Sequence, residues 1–522
     1  MELLKKNIHM NWQKASQSAR MSLSEDYNIP ENQPDALHLV QKKGIVRVDE
    51  IKVLEGSILL KGSLEVHILY IAQGGSGGIH RLKAIFPYEE RVSLVGVKAS
   101  DSVDAEAELQ DMNVTIINSR KLGVQSLIQF QVSLEELYDV QAGVEVHGVE
   151  ELSTRTQEIN PLSLSVRTRD IVRVKKELTL ASNKPNVGEV LWEDVELRGA
   201  DTRLLEGELE IRGELFVFLL YAGEDEKGTR EWMEASLPFQ EILPLSGCKG
   251  SMVPNIEIAL GNVNLEVTPD YDGEERMIQV DAPLQMDIRL YEEEQVKLLK
   301  DVYTPMKELI PRIQTENYES LLVRNFSKCR AAERIHMEQN SPRMLQFCHS
   351  HGEVQIDESK VTEQGILVEG AVFVTILYVT SDDEIPFAVM EGAVPFSHLV
   401  EVEGIHGNCR YTLKASLEQL SAAMIDSEEI EVKANINLNA FVVEVKEAGC
   451  VTDIQEQELD LAKLQAMPGM IGYQVQPGDS LWNIAKAYRT TPEKIREWNH
   501  LENEEALPGE KLMILKVLPQ IH

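Results

Sequence analysis

The residues with the most evident chemical potential are a cysteine and two histidines that lie close together, Cys348, His349 and His351. Thiolate and imidazole groups at short spacing bind zinc when further ligands follow at a similar spacing. No second pair with that spacing is present in the sequence. We therefore expect an ordinary loop at these residues, with no metal site and no cofactor.

A second candidate is the glycine-rich run at residues 74–78, which invites comparison with loops that surround phosphate groups. No Gly-Lys-Ser or Gly-Lys-Thr follows it. The equivalent positions in two later copies of a repeat, residues 225–229 and 382–386, are different and contain acidic residues. We expect the tip of a hairpin that binds no nucleotide.

Acid–base catalysis by paired carboxylates cannot be recognised from spacing, because 86 acidic residues are present. Runs such as residues 292–294 are typical of solvated acidic connectors. No H-E-x-x-H motif occurs. We predict that the protein is not an enzyme.

The elements that carry these residues form a threefold repeat. In each copy a central glycine has a proline 28 residues before it, a tyrosine 8 residues after it and a second proline 25 residues after it. Apolar residues alternate on both sides of the glycine, which indicates a half-buried β-strand, and the glycine indicates a bend, a bulge or a close backbone approach. We expect structural roles for Pro34, Gly62, Tyr70, Pro87, Pro185, Gly213, Tyr221, Pro238, Pro342, Gly370, Tyr378 and Pro395.

The fold predicted from these patterns is mainly β, with three tandem antiparallel repeats of the sandwich or barrel type. A length of 522 residues is too great for one core, and 43% hydrophobic with 26% charged residues is typical of a globular chain. Helical periodicity is weak in the repeats. We predict a loosely ordered N-terminal arm at 1–21, repeats at 22–150, 169–291 and 322–447, polar connectors near 151–168 and 292–321, an acidic linker at 448–470 and a small domain at 471–515.

The net charge of −35 argues against binding to nucleic acid, which requires a surplus of basic residues on the contact face. An acidic surface that keeps a large chain soluble is the simplest interpretation, and a basic protein partner is compatible with it. No apolar run has the length of a transmembrane helix. Because five cysteines form no C-x-x-C motif and the N-terminus has no pattern of a secretory signal, we expect a cytoplasmic protein.

The last 50 residues have a different character. A short strand with Tyr473 and Val475 leads through a Pro-Gly-Asp turn into a helix, whose apolar residues recur at helical spacing. Thr491 and Pro492 then predict the start of a second helix, and a last strand follows a Pro-Gly turn. The pattern predicts a βααβ unit.

The repeats resemble the SPOCS domain of Gram-positive spore-formers, which is associated with spore coat proteins. The resemblance rests on the Pro-x-x-x-Pro-Asp entry, the alternating strand that ends in Leu-Tyr, the triplets Phe-Pro-Tyr, Leu-Pro-Phe and Val-Pro-Phe, and the connector at residues 301–305. It covers most of residues 22–447. The third copy departs from the pattern at its entry, where Asn-Ser-Pro-Arg stands.

The C-terminal unit resembles the LysM domain over its whole length, and that family generally binds N-acetylglucosamine polymers in a groove between two loops. The matching motifs are Tyr-x-Val, Gly-Asp-Ser-Leu-x-x-Ile-Ala, Ile-x-x-x-Asn, Pro-Gly and Leu-x-Ile. Carried over by position, the resemblance implies a binding surface at Gly478, Asp479, Ser480, Leu481, Trp482, Leu507, Pro508 and Gly509. The same residues are also expected in a turn and a helix cap that bind nothing.

Trp482 lies about 100° around the helix from Leu481, so its ring is expected to be partly exposed. It would then stack on a sugar or anchor a protein, or else pack against the repeats or the linker.

Three SPOCS-like domains followed by a LysM domain resemble coat morphogenetic adaptors of the mother-cell cytoplasm. That resemblance implies a partner, the ATPase of the coat's basement layer that is similar to stage IV sporulation protein A, bound through the LysM domain. The alternative is a protein that binds peptidoglycan or another N-acetylglucosamine polymer in the spore cortex or cell wall. The sequence itself leaves both functions open.

Overall fold

The computed structural model describes residues 1–74, 78–225, 228–339, 341–501 and 507–516, without the side chains of residues 13, 461, 463 and 464. Most of this chain is β-strand, and three tandem sandwich repeats precede a small domain that contains helices. This architecture confirms the predicted fold class. The exact domain boundaries stay a prediction.

Each repeat consists of two antiparallel sheets packed face to face around its own core. We call the sheet that contains the central glycine the glycine sheet and the other the outer sheet. The glycine sheets are β2 (Ala36–Leu54), β3 (Ser57–Ala72) and β4 (Ile79–Ser93); β9 (Val187–Leu205), β10 (Glu208–Gly223) and β11 (Arg230–Pro244); and β17 (Met344–Thr362), β18 (Gly365–Thr380) and β19 (Phe387–Glu401).

The outer sheets contain the longest strands of the protein. They are β1 (Glu2–Asn28), β5 (Val103–Asn118) and β6 (Lys121–His147); β8 (Leu162–Thr179), β12 (Val253–Leu260), β13 (Asn264–Pro269) and β14 (Glu275–Glu293); and β16 (Glu308–His336), β20 (Cys409–Met424) and β21 (Glu429–Gln457). Two further short strands, β7 (Ser153–Ile159) and β15 (Val296–Tyr303), pair with each other.

The central strand of each repeat is buried as the alternation predicts. In β3, Ile58, Leu60, Leu64, Val66 and Ile68 are fully buried in the core of the first repeat. The corresponding apolar residues of β10 and β18 occupy the cores of the second and third repeats. Burial of these side chains is the main favourable contribution to folding of each sandwich.

The central glycines lie where a neighbouring strand or the ring of a cross-strand aromatic residue comes too close for a side chain. A Cβ atom at Gly62 would lie 1.9 Å from the carbonyl oxygen of Arg47, at a bulge in β2. Across the sheet, Gly62 pairs with Tyr88, whose ring lies over the glycine. Of the sequence-based alternatives, the structure shows both a bulge and a close approach. In the other copies the aromatic residues are Phe239 and Phe396.

The first proline and the tyrosine of each copy are joined directly by a hydrogen bond. The phenolic O–H of Tyr70 donates to the carbonyl oxygen of Pro34 over 3.0 Å, and the same bond in the other two copies measures 3.2 Å. The second prolines lie on edge strands of the glycine sheets, where a missing N–H costs no ladder bond. The equivalent residues are Tyr221 with Pro185 and Tyr378 with Pro342, and the edge prolines are Pro87, Pro238 and Pro395.

The segments before and between the repeats are strands, so the prediction of a loosely ordered arm at residues 1–21 is wrong. Residues 2–21 lie in β1, which pairs with β6 along its whole length. The connectors form β7, β8, β15 and β16, and β21 extends into the predicted acidic linker as far as Gln457. Pairing partners more than a hundred residues away stabilise these segments, so their own composition does not reveal them.

Parts of these strands form an additional packed layer, which we call the junction. It consists of β7 and β15 together with the parts of β1, β6, β16 and β21 that lie beside them. Its buried side chains include Ile8, Val140, Ile159, Leu298 and Tyr318.

The C-terminal domain has the predicted βααβ order. Helix α1 (Leu461–Ala466) precedes it, and its own elements are β22 (Met470–Gln474), α2 (Leu481–Ala487), α3 (Pro492–Asn499) and β23 (Lys511–Leu515). The two strands pair in antiparallel orientation, and both helices pack on them. Within the described ranges, none of the helices combines the length and the apolar composition that crossing a membrane requires.

Candidate binding groove of the C-terminal domain

One wall of the candidate groove is the turn between β22 and α2. Gly478 has a φ of 91°, a conformation that favours glycine. The carboxylate of Asp479 accepts hydrogen bonds from the Tyr473 hydroxyl over 2.7 Å and from the backbone N–H of Gln476 over 2.8 Å, and these bonds lower the pKa of Asp479. The hydroxyl of Ser480 caps α2 by accepting from the backbone N–H of Asn483. These polar groups therefore form hydrogen bonds that stabilise the conformation of the turn.

The opposite wall is the loop before β23. Gly509 has a φ of 93°, and its N–H donates to the carbonyl oxygen of Val475 over 2.8 Å, which ties this loop to the first wall. Pro508 is exposed. Leu507 exposes 69% of its surface. The groove therefore presents backbone and an apolar side chain.

Helix α3 holds the loop wall in place from behind. The side-chain amide of Asn499 donates to the carbonyl oxygen of Met513 over 2.8 Å, and its oxygen accepts from the N–H of Met513 over 2.6 Å. This pair of bonds fixes β23 to α3. Leu481 is buried under the groove with Ile484 and contributes to the domain's core.

Trp482 is half-buried and contacts the junction. Its Nε1–H donates to Asp301 Oδ2 over 2.8 Å, and its ring meets the Tyr303 ring edge to face, with centroids 4.9 Å apart. Of the alternatives for this side chain, the structure therefore shows packing against the rest of the chain. Its ring nitrogen is not available to a sugar or a protein in this arrangement.

Three cations of the C-terminal domain complete this contact, which we call the docking face. Lys486 Nζ lies 2.8 Å from Asp301, Lys494 Nζ lies 2.8 Å from Glu151, and Arg489 pairs with Glu308. The docking face thus uses the charge difference between a nearly neutral domain and an acidic body.

Tyr303 extends from the junction into the core of the C-terminal domain. Its hydroxyl donates to the carbonyl oxygen of Thr490 over 3.0 Å, and burial raises the pKa of the phenol. Tyr303 is buried with Val475 and Leu481. Sequence reasoning noted residues 301–305 as a motif but gave no signal that they contact a domain more than 170 residues away.

The other chemical candidates lie elsewhere. His349 and His351 are in strand β17, so the expectation of a loop is wrong, and they face carboxylates of the second repeat. Cys348 is buried among apolar side chains where the three glycine sheets meet. In the acidic run, Glu292 pairs with Lys249 and Glu294 pairs with Lys6.

The glycine-rich run lies in part outside the described residues. Residues 75–77, and residues 226–227 of the second copy, lie outside the described residues. That the run binds no nucleotide stays a prediction.

Comparison with protein families agrees with this division of the chain. The family model described as SipL, SPOCS domain, matches residues 35–117, 186–268 and 343–425, and the LysM domain model matches residues 473–514. Neither the curated proteins nor the solved structures yield a match. Each SPOCS match contains one glycine sheet, and the LysM match contains both walls of the groove. The chain is therefore a protein of three SPOCS domains followed by a C-terminal LysM domain.

Proposed function

We propose that this protein is a non-enzymatic adaptor of spore coat assembly, whose LysM groove binds the coat's basement-layer ATPase, a protein similar to stage IV sporulation protein A, in the mother-cell cytoplasm. SPOCS domains indicate a role in sporulation, and LysM domains indicate binding of peptidoglycan or a related glycan. Both families are non-catalytic binding domains. The proposal goes beyond these indications in naming a protein as the ligand.

The observation that supports an adaptor is the separation of the docking face from the groove. Trp482, Lys486, Arg489 and Lys494 hold the LysM domain on the junction. Among the described residues, no hydrogen bond or ion pair joins residues 476–480 or 507–510 of the groove to the junction. A partner bound in the groove is thus held at a fixed position relative to the three SPOCS domains, as an adaptor requires.

The chemistry of the groove favours a protein ligand. The side chains of Asp479 and Ser480 already accept hydrogen bonds from groups of the C-terminal domain itself. In the groove, Leu507 presents an exposed large apolar side chain. Apolar side chains that become buried at the centre of an interface contribute much of the binding energy of protein complexes.

The second candidate function is binding of peptidoglycan or another N-acetylglucosamine polymer. The LysM match favours it directly. The exposed loops at Gly478 and Gly509 present main chain that a ligand can approach closely. In this case binding of the LysM domain to the glycan would attach the three SPOCS domains to the cortex or cell wall.

Binding of the purified full chain to the immobilised ATPase separates the two functions. Leu507→Glu places a charge in the proposed interface at an exposed position, and we expect affinity for the ATPase to fall by at least tenfold. The matched control is Met470→Glu, because Met470 is also exposed, at 63%, but lies at the other end of β22. The control should bind like the wild type.

The same proteins are then mixed with purified peptidoglycan and with chitin oligomers. The adaptor proposal predicts weak or no sedimentation with either glycan. If the wild-type chain binds glycan tightly, does not bind the ATPase, and loses glycan binding through Leu507→Glu, the second function replaces the first.

A further inference from the structure

The three glycine sheets meet at a buried group of charged side chains. Lys43 of β2, Asp194 of β9 and His351 of β17 occupy equivalent positions, each nine residues after the first proline of its repeat. Lys43 pairs with Asp194, and His351 Nδ1 lies 2.8 Å from Asp194 Oδ2. Each repeat thus contributes a different chemical group to one shared centre.

Glu196 and His349 extend this centre. Oxygen atoms of Asp194 and Glu196 and a ring nitrogen of His349 all lie within 4.8 Å of one another. His349 Nε2 is 3.3 Å from Asp194 Oδ2, and His351 Nδ1 is 2.6 Å from Glu196 Oε1. The side chains of Asp194, Glu196 and His349 are almost completely buried, whereas His351 exposes 29% of its side chain. Two carboxylates and one imidazole therefore converge, and the second imidazole, His351, contacts both carboxylates from the more exposed side.

One close contact at this centre is poorly directed as a hydrogen bond. Glu196 Oε1 and His351 Nδ1 are buried, and neither has an aligned hydrogen-bond partner in the described structure although they are 2.6 Å apart. The Glu196 side chain is about nine-tenths buried. Because an unpaired buried carboxylate oxygen is costly, this oxygen is suited to bind an ion.

The surroundings have the features of an outer coordination shell. His349 Nδ1 lies 2.9 Å from Glu234 Oε1, so a carboxylate orients the imidazole with its Nε2 toward Asp194. The His349 ring is stacked on Phe218, with centroids 4.0 Å apart, which limits its rotation. Lys43 and Arg198 hold the second oxygens of the two carboxylates.

Carboxylates outnumber the permanent cations at this centre. Lys43 pairs with Asp194, Arg198 pairs with Glu196, and Glu234 adds a third carboxylate beside His349. Metal binding requires neutral imidazoles, so it would release any protons that the two histidines carry.

We propose that Asp194, Glu196, His349 and His351 bind a zinc ion that joins the second and third SPOCS domains. Nitrogen and carboxylate oxygen donors in a four-ligand set suit tetrahedral zinc. With bonds of about 2.0 to 2.1 Å, the ligand atoms of such a site lie about 3.3 Å apart. Three of the six separations between the four ligands, 2.6, 2.8 and 3.3 Å, are close to this value.

The test uses the full chain, freed of metal with a chelator and then titrated with zinc chloride. We expect one zinc per chain by elemental analysis, a rise of several degrees in the melting temperature, and release of protons that scales with buffer ionisation in calorimetry. Glu196→Gln keeps the side-chain volume and should weaken zinc binding by at least tenfold. His67→Gln is the matched control, because His67 also lies against a buried glutamate, Glu65, but in the first repeat. It should bind zinc like the wild type.

A second variant and a cobalt absorption spectrum test the site even if Glu196→Gln does not fold correctly. His351→Gln alters the most exposed ligand, and cobalt chloride in place of zinc should give the intense visible absorption of a tetrahedral site in the wild type but not in this variant. The proposal is overturned if the metal-free wild type takes up no zinc at micromolar concentration. It is equally overturned if zinc raises the melting temperature of Glu196→Gln and His351→Gln as much as that of the wild type.

Discussion

The indole Nε1 of Trp482 donates a hydrogen bond to Oδ2 of Asp301 over 2.8 Å, across 181 residues of sequence. Asp301 also accepts from Lys486, so one carboxylate serves two side chains of α2. This contact fixes the LysM domain on the junction. Trp482, which lies beside the groove, therefore has a structural role in this contact.

The first prediction concerns this docking contact. Asp301→Ala leaves the Trp482 N–H without its acceptor and Lys486 without its counter-ion. A hydrogen bond to a charged group contributes about 1.5 to 3 kcal/mol, so the docked state should become at least about tenfold less favoured. We expect faster proteolysis in the segment between β21 and β22. Trp482→Phe should have a smaller effect in the same direction.

The control for docking is Asp139→Ala, which removes an exposed carboxylate that pairs with His9. Its proteolysis should match the wild type. If Asp301→Ala and Trp482→Phe are also cleaved at the wild-type rate, the LysM domain is not held by this contact.

The second prediction ranks the central glycines. At Gly370 an added Cβ would lie 2.2 Å from the carbonyl oxygen of Gln355, whereas at Gly213 its nearest neighbour is a ring atom of Phe239 at 2.8 Å. A side-chain ring moves more easily than a strand, and overpacking typically costs about 1 to 3 kcal/mol. Gly370→Ala should therefore lower the melting temperature of the full chain more than Gly213→Ala.

Gly407→Ala serves as the reference for this ranking, because a Cβ there would meet no atom of the described structure within 4 Å. It should leave the melting temperature unchanged. Equal melting temperatures for Gly370→Ala and Gly407→Ala would mean that the close strand approach does not require glycine.

The third prediction concerns pH. Burial raises the pKa of Glu319 to about 7, an effect that nearby Arg410 opposes and Glu135 reinforces. Because the folded-state pKa lies above the unfolded value, the protonated form favours folding. This contribution is complete below about pH 4.5 and is lost as the pH rises through 7.

Glu319→Gln should therefore stabilise the chain at pH 8, by about 3 kcal/mol at most, and have little effect at pH 4.5. Denaturant unfolding at the two pH values measures this difference. Glu145→Gln changes an exposed glutamate and should show no pH-dependent gain. A Glu319→Gln chain that is no more stable than the wild type at pH 8 contradicts the assignment.

Local sequence patterns were sufficient to predict the elements that interactions between residues close in sequence stabilise. The alternation around Gly62 predicts a buried strand, and the residues from Ser480 to Asn499 predict two capped helices, because periodicity and capping act over a few residues. The structure confirms both. The family matches confirm the SPOCS and LysM resemblances.

Contacts over long sequence distances were not predictable. Residues 1–21 are a strand only because β6 pairs with them, more than a hundred residues away. Asp194 and His349 come together across 155 residues, so the search for metal ligands at short spacing could not find them. The partial exposure of Trp482 followed from its place on the helix, but the identity of its acceptor depends on how the domains pack.

The most direct test of the adaptor function is site-specific photocrosslinking in sporulating cells. A photoreactive amino acid replaces Leu507 in one full-length chain and Met470 in another. The account predicts a crosslink to the coat basement-layer ATPase from position 507 and none from position 470. A chain that assembles at the forespore surface without any crosslink from position 507 to the ATPase, or with a crosslink from 507 to glycan, would contradict it.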